Sequence, residues 1–224
     1  MTVGWARFCA HADTKPRGQT INLSAHPTLF SENKFTLLPV SRRSQCLMPN
    51  YRRAKVEGAT YFFTINLLER RSRLLVEHID ALHEALEWVS VVLPIHVDAW
   101  VVMPEHMHAV WTLPPGDHNY ALRWSSIKRR FSKALPATEH RSAVRIARGA
   151  RGIWQRRFWE HLIRDDDDYT RHVDYIHYNP VKHGWVKRVT DWPHSSFRQF
   201  VNEGIYPLDW SSGAAVEVLA GERG

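Results

Sequence analysis

The spacing of apolar positions changes period several times along this chain, and each change predicts an element. Ala59-Thr60-Tyr61-Phe62-Phe63-Thr64-Ile65-Asn66 is β-branched and aromatic, which predicts a strand. Leu75, Ile79, Leu82, Leu86, Val89 and Leu93 follow at spacings of four, three, four, three and four, the stripe of one helix ended by Pro94. His96 to Val102 alternates into a second strand and His106 to Leu113 into a third, with Met103-Pro104-Glu105 as the turn between them. Pro114-Pro115-Gly116-Asp117 breaks the chain, and a basic helix is predicted from about Tyr120 to Leu135. A loop rich in Arg, Ala and Gly reaches about Gly152, and Trp154 to Ile163 offers a fourth strand. The acidic run Asp165 to Asp168 suits the positive end of a helix dipole and opens a last helix. That helix is expected to end at Asn179, because Pro180 disfavours helical backbone in the residue before it.

The order β-α-β-β-α-β-α contains, in its first six elements, the ferredoxin-like or RRM-like order. The expected fold class is α+β: an antiparallel sheet with helices on one face and an added C-terminal helix. Residues 1–47 mix Thr, Ser, Pro, His and Lys without sustained periodicity and read as a poorly ordered extension. Met48, followed by Pro49-Asn50-Tyr51-Arg52-Arg53, reads as the start of the folded domain, so the first 47 residues are equally an artefact of start-codon choice. The domain is expected over 48–203, with 204–224 as an irregular tail.

Composition narrows the partner. The 224 residues carry a net charge of +7 and a pI near 9.6, which favours an acidic partner, most commonly nucleic acid. No apolar run approaches the roughly 20 residues that span a bilayer. The two cysteines, Cys9 and Cys46, give no disulfide scaffold, so the cytoplasm is the expected compartment, with nucleoid association when DNA is bound. Arg123, Lys128, Arg129, Arg130, Lys133, Arg141, Arg145, Arg148, Arg151, Arg156 and Arg157 stand against the single acid Glu139. A solvated basic face would explain the charge alone. Interleaving with Trp124, Phe131, Trp154 and Phe158 points instead to a phosphate-binding surface with stacking platforms. The expected DNA contacts are Arg52, Arg53, Arg123, Trp124, Lys128, Arg129 and Arg157.

Two segments carry chemistry. In Pro104-Glu105-His106-Met107-His108 the strand alternation puts His106 and His108 on one face, close enough to share a divalent ion. In Asp174-Tyr175-Ile176-His177-Tyr178-Asn179-Pro180 a helix puts Tyr175 and Asn179 on one face. Two imidazoles, an amide oxygen and a phenol make a site for breaking a phosphodiester with tyrosine as nucleophile. Each part has a plainer explanation: histidines on a half-buried strand and tyrosines on a helix are most often packing residues. Tyr178 lies only about 60° around the helix from Tyr175 and is its rival. The i, i+4 pairing with Asn179 selects Tyr175. His172 shares that face and is read as structural, as is the turn carboxylate of Glu105.

His106-Met107-His108 resembles the His-hydrophobic-His signature of HUH single-strand DNA nucleases. Ala99 to His108 is similar to the tyrosine transposases of small bacterial insertion sequences. A narrower similarity, to REP-associated tyrosine transposases, rests on a series of motifs. They are Tyr51-Arg52-Arg53, Arg123-Trp124 with Ile127-Lys128, Trp154-Gln155, Arg157 to His161, Asp174-Tyr175-Ile176, Asn179 to Val186, Asp191-Trp192-Pro193, Tyr206-Pro207 and Asp209-Trp210. The match runs from about 48 to about 211, and residues 1–47 have no counterpart. The loop from Pro136 to Gly152 is longer and richer in Arg and Ala than the family pattern.

The resemblance implies an HUH nuclease fold, His106, His108 and Asn179 as ligands of Mg²⁺ or Mn²⁺, and Tyr175 as nucleophile. It implies action on single-stranded DNA with hairpins of repeated extragenic palindromes (REP), through a 5′-phosphotyrosine and without a nucleotide cofactor. Within the family this branch is monomeric, and no membrane partner is expected. Two readings from other classes stand beside it: a sequence-specific hairpin-binding protein that does not cut, and, on fold order alone, an RRM-like RNA binder.

Overall fold

The computed structural model describes residues 53–137, 143–147, 149 and 151–211, and these form one unit. The expected extension over 1–47, the start at Met48, Tyr51, Arg52, Arg141, Arg148 and the end from 212 onward lie outside the described residues.

Four strands make one antiparallel sheet: β1 (Thr60–Asn66), β2 (His96–Val102), β3 (His106–Thr112) and β4 (Trp159–Leu162). The spatial order is β2-β3-β1-β4, that of the ferredoxin-like arrangement predicted from the chain order. The helices are α1 (Leu74–Glu77), α2 (Ile79–Val92), α3 (Tyr120–Ala134), α4 (Ala143–Ala147), α5 (Asp166–Lys182) and α6 (Phe197–Asn202). A 3₁₀ turn covers Val189–Asp191. No helix among the described residues is long and apolar enough to cross a membrane.

One face of the sheet carries α2 and α3. Tyr61, Phe63 and Ile65 of β1 and Met107, Ala109 and Trp111 of β3 point there, against Leu82, Leu86 and Val89 of α2 and Trp124, Ile127 and Phe131 of α3. Trp111 and Trp124 stack at 3.9 Å. The alternate residues of the same strands, Phe62, Val110, Ala99 and Val101, meet Val173, Tyr175 and Ile176 of α5 on the opposite face. The strand order predicts helices on one face, where α2 and α3 lie; the added C-terminal helix α5 covers the other, because β1, β2 and β3 carry apolar residues on both sides.

A bulge sets which residues of β2 face which side. The pairing slips between Val97 and Ala99, so Asp98 is extra and the side-chain parity flips. Val97 and Trp100 thereby face α2 and α3, while Ala99 and Val101 face α5.

Several elements depart from expectation. The stripe from Leu75 to Leu93 is broken at His78 (φ −120°, ψ 40°), where Leu75 has already tied its N–H to the Pro104 carbonyl. The fourth strand is shorter than Trp154 to Ile163. Trp154 makes only an isolated bridge with Leu67, and its indole N–H turns to the Lys128 carbonyl and Ser132 hydroxyl of α3. The chain after Trp192, including the start of the tail expected to be irregular, is tied to the domain. Ser195 bridges to Val101, α6 follows, and Tyr206 returns to hydrogen-bond Asp174 of α5.

The last helix runs past Pro180 to Lys182. Proline there removes one bond near the helix end, where the terminal turn is closed by other means. Gly184 (φ +71°) donates to the Val181 carbonyl and Trp185 to the Pro180 carbonyl, the paired bonds of a Schellman cap.

Candidate active site

His106 and His108 lie on the α5 face of β3 with ring centroids 4.9 Å apart. Each is oriented through Nδ1. Glu105 Oε1 lies 2.9 Å from that nitrogen of His106, and Thr64 Oγ1 lies 3.0 Å from that of His108. Anchoring one ring nitrogen fixes ring orientation and turns Nε2 toward the remaining edge, the arrangement found behind metal-ligating histidines. Burial pushes His108 well below the ordinary imidazole range, and His106, His183 and Lys182 add to the push. It therefore stays neutral, the form that ligates a metal. Burial raises the Glu105 carboxyl, but its hydrogen bond and charge interaction with His106 outweigh that and leave it lowered.

The helix α5 brings the rest. The Tyr175 ring stands 5.3 Å from His108. At the other end of the same helix face, His183 stands 5.3 Å from His106. Asn179 lies between them, one turn from each. It is fully buried, and neither its amide oxygen nor its amide nitrogen has a hydrogen-bond partner among the described residues. A buried amide without a protein partner is costly, and its free oxygen is available to a ligand from outside the chain. Two imidazoles and an amide oxygen suit Mn²⁺, and suit Mg²⁺ when water and phosphate complete the shell. The residues present thus fit a divalent cation at His106, His108 and Asn179.

Tyr178, the rival, points elsewhere. It lines a cavity of about 190 Å³ with Val181, Val189 and Trp210, away from the histidines. Two residues of the site were not anticipated. The Lys182 ammonium lies 3.5 Å from the Tyr175 hydroxyl and 4.6 Å from its ring centre, and burial lowers its pKa. His183 is the other. Both were legible only if the helix passes Pro180, whereupon 175, 179, 182 and 183 fall on one face.

A second cluster, at the N-terminus of α5, consists of His161, Asp168 and His172, whose ligand atoms lie within 4.8 Å of one another. That is close enough to hold a cation. The Asp168 oxygens are already engaged: His161 Nε2 lies 2.8 Å away, Arg164 Nε 3.2 Å and Arg171 3.3 Å. His172 Nδ1 lies 2.7 Å from the Asp168 carbonyl. The cluster braces α5 against β4, in keeping with the structural role expected of His172.

The expected DNA contacts divide. Arg123 is 1% exposed and is a correction. Its guanidinium donates to the carbonyls of Leu93, Asn119 and Pro94 and to Asp117 at 2.7 Å, tying α3 to the end of α2. Trp124 is likewise core, against Trp111. Phe131 is buried in the same core, and Trp154 and Phe158 are partly buried against it. The periodicity of α3 puts 120, 123, 124, 127 and 131 on its inner side, which a count of basic residues overlooks. Arg151 caps the C-terminus of α3 at the Leu135 and Pro136 carbonyls. Lys128 is half-buried over Trp154 and Phe158, and burial, with Arg53 nearby, lowers it to about 8. Arg53 lies over Phe158 and 3.5 Å from Glu160. Arg129 and Arg157 are exposed.

The α+β architecture, with a histidine pair on the sheet and a tyrosine on the covering helix, is the HUH transposase fold. No family model matches the chain. Relatives do. A REP-associated tyrosine transposase of Escherichia coli (strain K12) is 48% identical over 176 residues, covering 79% of this chain and 98% of that protein. A putative REP-associated tyrosine transposase of Haemophilus influenzae is 43% identical over 176 residues, covering 76% and 98%. A solved structure of a REP-associated tyrosine transposase bound to a REP hairpin superposes with a TM-score of 0.67 at 48% identity, over 79% of this chain and 98% of the other. This chain belongs to the REP-associated tyrosine transposase family.

Proposed function

We propose that the protein nicks and rejoins single-stranded DNA next to REP-type hairpins through a covalent tyrosine intermediate. The observation that carries this reading is Tyr175 over His108, with Asn179 buried and unsatisfied one turn further along. The Tyr175 hydroxyl oxygen attacks the scissile phosphorus, forming a 5′-phosphotyrosine. The bond to the 3′ oxygen breaks; the phenol gives up its proton and the departing 3′ oxygen takes one up. Lys182, beside the phenol, favours its anionic form and the charge of the attacked phosphate. Its flexible stem can move aside to admit the strand, which matters because Tyr175 is only 1% exposed. A second 3′-hydroxyl reverses the step on a new strand, so bond energy is conserved and no nucleotide cofactor is needed.

His106, His108 and Asn179 would hold Mn²⁺ or Mg²⁺, which supplies Lewis-acid polarisation of the phosphate when bound. Tyr175 meets His108 of its own chain, which supports a site complete within a monomer. Among the described residues, Arg129 and Arg157 are exposed and are expected phosphate contacts.

The test is incubation with labelled single-stranded hairpin DNA in Mn²⁺ and in EDTA. A nick confined to the Mn²⁺ arm is expected. Tight hairpin binding in both arms with no nick would leave a binding protein that does not cut.

A further inference from the structure

We propose that Trp159 is the stacking platform for a nucleobase of the substrate strand beside the scissile phosphate. The proposal rests on the single-strand reading above and assigns the base-holding part of that site.

The sheet register places it. Thr64 pairs with His108 on one side and with Trp159 on the other. Residues paired across strands share a face, so His108, Thr64 and Trp159 form one row across the sheet on the side of Tyr175. Strands lie roughly 4.8 Å apart, which puts the Trp159 backbone about 10 Å from that of His108. A phosphate at the histidines and a base of the adjoining nucleotide span such a distance.

Trp159 is also open. It is 37% exposed, while its row neighbours Thr64 and His108 are 6% and 1% exposed. Of the aromatics singled out from the sequence as platforms, Trp124 and Phe131 are buried in the opposite core and Trp154 and Phe158 pack against it; among the described residues Trp159 is the large aromatic left open on the site's face of the sheet.

The ring is held rigid from behind. Trp159 stacks on His161 at 5.8 Å and 11°, and His161 stacks on His172 at 4.6 Å and 18°. Phe62 abuts the indole edge-on at 5.6 Å. Asp168 fixes His161 at 2.8 Å and is itself fixed by the Arg164 backbone N–H. The His161–Asp168–His172 cluster thus has a purpose: it orders a column of near-parallel rings whose outer member faces solvent. A base laid on the indole extends that column, and stacking of this kind tolerates any base because each has a π face.

The experiment uses the full chain with single-stranded hairpin oligonucleotides carrying one abasic position, walked through the nucleotides flanking the nick. Trp159→Ala and Trp159→Leu are each expected to weaken binding roughly 5- to 150-fold, and Trp159→Phe to stay within about threefold of wild type. Leucine keeps an apolar cover over Phe62 without a π face, so a loss shared by Ala and Leu but not Phe reports stacking. At one flanking position the abasic change should weaken wild type by a similar factor and Trp159→Ala no further. Equal binding by wild type and Trp159→Ala, or additive losses at every position, overturns the proposal while leaving the nuclease reading intact. Wild type that binds but never nicks fails the nuclease reading, and the platform is still judged by the binding data. Wild type that binds none of the strands overturns both.

Discussion

Asn179→Ala should make the metal-free protein more stable and the enzyme inactive. Asn179 is fully buried with both ends of its amide unpartnered, and each unsatisfied buried polar group costs about 1–3 kcal/mol. Alanine also has the higher helix propensity, by roughly 0.5 kcal/mol, at a helical position whose backbone carbonyl is already used by His183. Against this stands the loss of a small side-chain volume at the edge of the core. The balance is about 2 kcal/mol in favour of alanine in EDTA. For a domain of this size that corresponds to a rise of about 4–8 °C in Tm. Saturating Mn²⁺ should reverse the order, since a cation at 100 times its Kd adds about 2.7 kcal/mol to a protein that binds it, and the variant lacks a ligand. Thermal melting of both proteins in EDTA and in Mn²⁺ reads all four values. The reasoning is refuted if the variant melts below wild type in EDTA, or if both gain equally from Mn²⁺.

Three further outcomes follow from the structure. His177 is fully buried on α5, bonded to Ser196 at 3.0 Å, and burial lowers it to about 3. The unfolded chain takes that proton near pH 6.5 and the folded one only near 3, so stability falls with pH across that window. The loss by pH 5 is about 2 kcal/mol, and urea melts should show it in wild type but not in His177→Gln. Arg123→Met should cost roughly 3 kcal/mol by urea denaturation while leaving hairpin affinity of the folded protein unchanged. A tenfold affinity loss at unchanged stability would restore Arg123 to the DNA surface. Gly184→Ala should cost about 1–2 kcal/mol from its left-handed backbone alone, since a Cβ there meets nothing within 4 Å; an unchanged Tm would remove the Schellman cap from the account.

Much of this fold was legible because strand and helix periods are distinct, and the register of His106 and His108 followed from alternation alone. The helix carrying Tyr175 was legible up to Pro180 and misread beyond it. A local rule about the residue before proline lost to a glycine cap four residues later. That misreading hid Lys182 and His183. The basic stretch misled differently. Arg123 and Trp124 sit on the inner face of α3, and charge counting ignores which face a residue occupies. Trp159 escaped notice because Thr64, beside it in the sheet, and His108, one strand further, are far from it in sequence and are aligned with it only through sheet register.

The central claim is that Tyr175 forms a covalent bond to DNA. The direct measurement is peptide mass spectrometry of the protein after reaction with a labelled hairpin strand in Mn²⁺. The account predicts a nucleotide adduct on the peptide containing Tyr175, absent in EDTA and in Tyr175→Phe. An adduct on Tyr178, or a nick that survives Tyr175→Phe, would contradict it.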